Sequence, residues 1–211
     1  MRFRAVIFDL GGVVFPSPFD VFDAYEREHG LPERFIRGVV AASADHGAWA
    51  RFERSELGFD EFCAAFGAEC AAAGGTVDAN ALMRGIMGGF APRPQMTTAI
   101  GRLRDAGLRV GALTNNWARV DGTERESGHD ALGFDTVVES AVEGIRKPDP
   151  AIYALVCSRL DVTPPECVFL DDLGVNLKPA RAMGMTTIKV VDADTALAEL
   201  SDHVGIPLGA I

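Results

Sequence analysis

The sequence predicts an α/β protein in which a parallel, doubly wound sheet is interrupted after its first strand by an all-helical insertion. Three observations carry that prediction. From Pro94 onward, short apolar runs alternate with helical stretches, the rhythm of a parallel sheet with crossover helices. A run of the same kind, Ala5-Val6-Ile7-Phe8, stands alone near the start. Roughly 70 residues of helical periodicity without an evident strand separate the two.

Composition bounds the reading. The chain has 211 residues, which suits one domain with an insertion or two small domains, and its 48% hydrophobic content is enough for a proper core. A formal charge of -10 and a pI near 4.8 argue against nucleic acid or an anionic membrane surface as partner, because phosphate backbones need a basic face. Cys63, Cys70, Cys157 and Cys167 have no CxxC spacing and no paired His motif. They read as small apolar fillers in a reduced, cytoplasmic protein. No apolar run reaches the ~18 residues of a membrane helix. Asp9 interrupts the first apolar stretch, so a signal peptide is not expected.

The first strand, Ala5 to Phe8, stops at Asp9, and the Gly11-Gly12 pair then turns the chain. Pro16 and Pro18 forbid a helix over the next residues. Phe19, Phe22 and Tyr25 recur at near-helical spacing until Gly30. A second helix is expected from Pro32 to about Ala42, and a short third one carries Trp49, Arg51 and Phe52. Phe59, Phe62, Cys63, Phe66 and Cys70 form one apolar stripe. Asp78 is the expected N-cap of a last helix, Ala79 to Met87, before Gly88-Gly89 and Pro92 break the chain.

The second half is read as helix Gln95–Ala106, strand Leu108–Leu113, a polar stretch 117–133 with one short helix at most, strand Phe134–Ser140, helix Pro150–Leu160, strand Cys167–Leu170, helix Leu173–Met183, strand Met185–Val191 and helix Asp192–Val204. Right-handed crossovers put every carboxyl end on one edge of such a sheet. Ligands bind beyond that edge. It collects Asp9, Thr114, Asn115, Asp171 and Asp172, and Lys147 lies in a loop that reaches it. Crowded carboxylates repel unless a hard cation sits among them, and an oxygen-only set suits Mg²⁺. A hydroxyl, an amide and a fixed ammonium are phosphate-binding groups. Asp9 then has the attitude of a nucleophile, since carboxylates form aspartyl-phosphates.

Each stretch taken alone has a blander reading: a turn at Thr114-Asn115-Asn116, a solvated loop at Lys147-Pro148-Asp149-Pro150, a dipole-favouring acid pair at Asp171-Asp172. Their order and common placement at strand ends favour a site. In that order FDLGGVV, LTNN, RKPDPAIY and VFLDDLGVN resemble the four motifs of the haloacid dehalogenase superfamily, in its phosphatase-like branch. GGVVFPSP, WARFERSEL, VVESAVEGIRKPDPAIY and FLDDLGVNLKPARAMGM are similar, more narrowly, to the N-terminal phosphatase lobe of soluble epoxide hydrolases and to the N-terminal lobe of certain multidomain acyl-CoA dehydrogenases. The resemblance implies a Rossmann-like core, 1–15 and 91–211, and a helical cap, 16–90. It implies Asp9 as nucleophile, Thr114 and Asn115 holding a phosphate with Lys147, and Mg²⁺ bound by Asp9, the Gly11 carbonyl and Asp172, with Asp171 beside it.

One departure matters. Phosphatases of the superfamily usually carry a second Asp two residues after the nucleophile, as general acid and base; here Gly11 stands there. Its carbonyl can bind metal but cannot move a proton, and such help is worth ~10²–10⁴ in rate. A sugar phosphomutase is therefore not expected. The expected function is a Mg²⁺-dependent phosphatase of a small phosphorylated metabolite, slowed to the extent that the acid–base group is missing. A non-catalytic module binding phosphorylated ligands or a partner stays open on the strength of Gly11. A 2-haloacid dehalogenase fits less well, because that branch typically has uncharged Ser where this chain has the Asp171-Asp172 pair. Trp49, Arg51 and Phe52 are candidate substrate contacts, with helical-lobe core the alternative for Trp49 and Phe52, and His46 and His129 are read as loop histidines.

Overall fold

In the computed structural model of the protein, residues 2–88, 91–118 and 132–209 are described. Five parallel strands form one sheet: β1 (Ala5–Phe8), β2 (Arg109–Thr114), β3 (Thr136–Glu139), β4 (Cys167–Asp171) and β5 (Thr186–Lys189), in the order β3-β2-β1-β4-β5. The helices among the described residues are α1 (Pro18–His29), α2 (Phe35–Ser43), α3 (Ala48–Glu53), α4 (Phe59–Ala72), α5 (Ala79–Met87), α6 (Pro94–Asp105), α7 (Ser140–Glu143), α8 (Pro150–Arg159), α9 (Gly174–Ala182) and α10 (Ala193–Val204). None is long and apolar enough to cross a membrane.

The central strand β1 is buried on both faces, as its unbroken apolar run requires. Val6 and Phe8 point into one core with α6 and α10, and Ala5 and Ile7 point into the other with α8 and α9. The helices α1 to α5 build a third core of their own around Phe22, Trp49, Phe52, Phe62, Phe66 and Met83. The chain leaves the sheet through Val14 and returns through Arg93, whose N–H donates to the Val14 carbonyl at 2.8 Å. Exit and return thus lie side by side.

Local chemistry sets the element ends. Ser17 caps α1, Asp78 accepts from Ala81 N–H at the start of α5, and Asp149 accepts from Ala151 N–H ahead of Pro150 in α8. The second helix starts at Phe35 rather than Pro32. Arg34 takes a left-handed conformation (φ 62°), and the buried Glu26 carboxylate accepts from the N–H groups of Arg34 and Ile36 at 2.7 and 2.8 Å. The strand expected over 134–140 stops at Glu139, where the buried Ser140 hydroxyl accepts from Asn116 N–H at 2.9 Å and α7 begins. The last strand is likewise shorter than 185–191. Any short helix within 119–131, and His129, lie outside the described residues.

Glu26 supplies the acceptors that α2 lacks from its own N-cap, where Arg34 makes no side-chain cap bond. Glu26→Ala is expected to lower the free energy of unfolding by about 2–3 kcal/mol, the scale for hydrogen bonds to a charged group. Urea titration checks this. Glu26→Gln, which keeps one acceptor, should lose less. An unchanged midpoint for the Ala variant would mean that the two amides find other partners.

Candidate active site

The register of the sheet creates the site. Phe8 stands opposite Leu170, so Asp9 and Asp171 continue adjacent strands side by side, and Asp9 N–H donates to the Leu170 carbonyl at 2.9 Å. Into this edge comes Lys147, from the loop between α7 and α8. Its ammonium pairs with Asp9 Oδ1 at 2.8 Å and donates to Asp171 Oδ2 at 2.7 Å and to the Leu113 carbonyl at 3.0 Å. Lys147 is 1% exposed.

Burial alone would discharge this lysine, but Asp171 and Asp9 outweigh it and hold the Lys147 pKa above its ordinary value. Burial pushes the Asp9 carboxyl well up, against the pull of Lys147 and with the push of Asp171. The Asp172 carboxyl is pushed up to about 6 by burial and then by the Asp171 charge. Three carboxylates against one ammonium leave an excess of negative charge at the edge.

Asp171 is fully engaged. Beyond Lys147 it accepts from Leu173 N–H at 2.8 Å and from the Asn176 amide at 3.0 and 3.1 Å. The Tyr153 hydroxyl in turn donates to the Asn176 carbonyl at 2.7 Å. Asn176 is a site residue that sequence reasoning did not single out, although it closes the Val168–Asn176 motif. Asp172 lies against Gly12. A Cβ on Gly12 would fall 2.3 Å from Asp172 Oδ2, and Gly12 has φ +81°, so only glycine fits. Gly11 is different: its φ is not left-handed, and an added Cβ would meet only Pro18, at 3.4 Å and beyond.

Thr114 ends β2 at the same edge and is 5% exposed. Asn115 is present too, but its carboxamide is committed to the main chain of Lys147. Oδ1 accepts from Lys147 N–H at 2.8 Å and Nδ2 donates to the Lys147 carbonyl at 3.0 Å. From the helical side Glu53 approaches, its Oε2 3.4 Å from Asn115 Nδ2. Trp49 and Phe52 are buried in the core of the helical block, and Trp117 stacks on Phe52 with ring centroids 6.0 Å apart. Arg51 pairs with Glu56 at 3.5 Å, and His46 is exposed.

Asp9, Asp171 and Asp172 each offer one carboxylate oxygen, and these three oxygens lie within 4.8 Å of one another. The donors are hard oxygens and the edge carries excess negative charge, so the residues fit a small hard dication such as Mg²⁺. The contacts that hold Asp9, from Lys147 and from Leu10 N–H at 2.7 Å, fall on Oδ1. No hydrogen bond from the described residues reaches Oδ2.

Comparisons with known proteins bear on the family and the fold. Residues 3–184 match the family model of the haloacid dehalogenase-like hydrolases. The chain is 40% identical over 209 residues to acyl-CoA dehydrogenase family member 10 of Mus musculus and 33% identical over 223 residues to bifunctional epoxide hydrolase 2 of Sus scrofa. These matches cover 98% and 99% of this chain, which spans only 20% and 40% of the length of those relatives. A sesquiterpene phosphatase of Aspergillus oryzae is 30% identical over 204 residues, covering 96% of this chain and 97% of that protein. Among solved structures, a predicted HAD-like family hydrolase from Porphyromonas gingivalis superposes with a TM-score of 0.66 at 18% identity, covering 97% of this chain and 98% of that one. A HAD family enzyme from Bacteroides thetaiotaomicron, in complex with magnesium and inorganic phosphate, does so with a TM-score of 0.60 at 17% identity, covering 89% and 93%. At such identities the structural likeness speaks for the fold. The match to the family model and the identity to these relatives carry the assignment further: the chain belongs to the haloacid dehalogenase-like hydrolases.

Proposed function

We propose that the chain is a Mg²⁺-dependent phosphatase of a small phosphorylated metabolite. In this reading the helical block, 16–90, acts as a cap over a core made of 1–15 and 91–211. The observation that carries it is the asymmetry of Asp9: Oδ1 is fixed by Lys147 and Leu10 N–H, and Oδ2 has no hydrogen bond among the described residues. Oδ2 would attack phosphorus and displace the alcohol, leaving an aspartyl-phosphate that water then hydrolyses. Lys147 and the Thr114 hydroxyl would hold phosphoryl oxygens, with Asn115 fixing the Lys147 main chain. Asp9, Asp172 and the Gly11 carbonyl, with Asp171 behind them, would hold Mg²⁺, which supplies positive charge against the phosphoryl oxygens. The sesquiterpene phosphatase, matched over nearly its whole length, supports phosphate ester chemistry. Dehydrogenase and epoxide hydrolase activities are not carried over, because the chain spans a minor part of those relatives.

Gly11 favours a second reading, a module that binds phosphorylated ligands without turnover. Phosphate release from p-nitrophenyl phosphate with and without Mg²⁺ separates the readings. A phosphatase releases phosphate only with the metal, a dehalogenase releases halide from 2-haloacids without it, and a binding module does neither. A screen of phosphorylated metabolites with Mg²⁺ would then identify the substrate class.

Asp9→Asn is expected to lower turnover at least about a thousandfold, the scale for loss of a nucleophile, while circular dichroism stays native. Near-normal turnover would remove Asp9 from that role. Gly11→Asp is expected to speed hydrolysis of esters with poor leaving groups, recovering part of the ~10²–10⁴ that acid–base catalysis supplies. Little change is expected for p-nitrophenyl phosphate, whose leaving group needs no proton. The steric room at Gly11 makes the variant feasible. A folded variant no faster on the poor leaving group would mean that another group already moves that proton.

A further inference from the structure

Glu53 is a buried carboxylate that the catalytic scheme above leaves unused. It ends α3, beside the aromatic core of the helical block, and is 7% exposed. Three donors converge on it. Trp49 Nε1 donates to Oε1 at 3.0 Å; Arg146 Nε and Asn115 Nδ2 donate to Oε2 at 2.6 and 3.4 Å. Trp49 belongs to its own helix. Arg146 and Asn115 belong to the sheet side, and both act on one residue: Arg146 precedes Lys147 in the chain, and the Asn115 carboxamide accepts from the Lys147 N–H and donates to the Lys147 carbonyl. The guanidinium of Arg146 also reaches back to the helical side, to Asp45 at 3.3 Å.

A carboxylate is a costly way to hold two apolar surfaces together. Burial pushes the Glu53 pKa up, and Arg146 works against that push. An ion pair out of water adds little net stability over well-packed apolar side chains. What it does add is direction, because two oxygens fix where a guanidinium and a carboxamide lie. Both of those groups bracket Lys147, whose ammonium holds Asp9 Oδ1 at 2.8 Å.

We propose that Glu53 is a positioning residue that, through Arg146 and Asn115, sets Lys147 against Asp9, so that seating of the helical block and assembly of the phosphoryl-transfer site are one event. This rests on the reading of Asp9 and Lys147 as the reacting pair. No hydrogen bond or ion pair among the described residues joins Glu53 to either of them. Misplacement of a reacting group by about 1 Å can cost ~10²-fold in rate, so small movements of the Lys147 loop matter.

The test compares Glu53→Gln, Arg146→Gln and the double variant with wild type. Gln keeps the size of Glu53 and an acceptor for one donor, but it loses the charge and turns a donor toward the others. Turnover of p-nitrophenyl phosphate with Mg²⁺ is expected to fall about 10–100-fold in kcat, with KM changed by less than about threefold. The double variant should lose little more than either single one, because the two residues act through each other. A second readout does not depend on turnover. The chain has three lysines, Lys147, Lys178 and Lys189, so ammonium resonances in ¹⁵N-resolved spectra are few. The Lys147 resonance should shift in each variant while those of Lys178 and Lys189 stay. Unchanged kcat with an unmoved Lys147 resonance, even with a lowered melting temperature, would overturn the proposal and leave Glu53 a structural contact. A wild type without phosphatase activity would defeat the functional reading alone, and the Lys147 resonance would still decide the role of Glu53. Should Glu53→Gln fail to fold, Arg146→Gln reports on the same link from the sheet side.

Discussion

Two carboxylates and one ammonium share a space from which water is nearly excluded, and the rest of the edge is arranged around that triad. Asp171 and Asp9 offset the cost of burying the Lys147 charge, and its ammonium offsets the repulsion between the two acids. The demand fixes several elements at once. It requires β1 beside β4 in register, a Leu113 carbonyl at the end of β2 to take the third proton donor, and a loop before α8 long enough to return Lys147 to the edge. It also explains the second layer. Asn176 and the Leu173 N–H bind the Asp171 carboxylate, whose charge acts on Lys147, Asp9 and Asp172 together.

The helical block meets this triad indirectly. Its core is aromatic and closed within α1 to α5, and Trp117 from the sheet side adds a ring to it, stacked on Phe52 and edge-on to Trp49. Ser55 on the helical side donates to the Ala141 carbonyl at 2.7 Å. Polar contacts to the sheet thus cluster near the end of α3, while the covalent connections run through the paired segments at Val14 and Arg93. Two adjacent chain crossings and one polar patch leave the rest of the facing surfaces free of such ties among the described residues.

Much of this was legible in the sequence because it is local. An apolar run that stops at Asp9, a proline after Asp149, and Cys167–Leu170 running into Asp171 each follow from neighbours along the chain. The four motifs, in their order along the chain, assign the candidate residues to one sheet edge. What stayed hidden depends on distant partners. The motif marks Asn115 as a candidate phosphate ligand, but not that its carboxamide bonds the main chain of Lys147, 32 residues away. Glu53 and Asn115 lie 62 residues apart, on elements with no sequence relation. Glu26 capping α2 and Ser140 ending β3 moved boundaries in the same way, through side chains that propensity does not see. Trp49 and Phe52, open between core and substrate contact, proved to be core.

The contact between Gly12 and Asp172 has a consequence for engineering. Replacing glycine by alanine is a common route to thermostability, since it narrows the unfolded ensemble and gains roughly 0.4–1 kcal/mol where the native backbone allows it. Gly38 and Gly101 meet that condition: both lie within helices, without a left-handed φ and with nothing within 4 Å of an added Cβ. Gly12 fails it twice, by backbone sign and by collision with a carboxylate at the candidate metal position. A stabilising library that treats the chain's 23 glycines as equivalent would therefore gain on the helices and disable the site with the same chemistry.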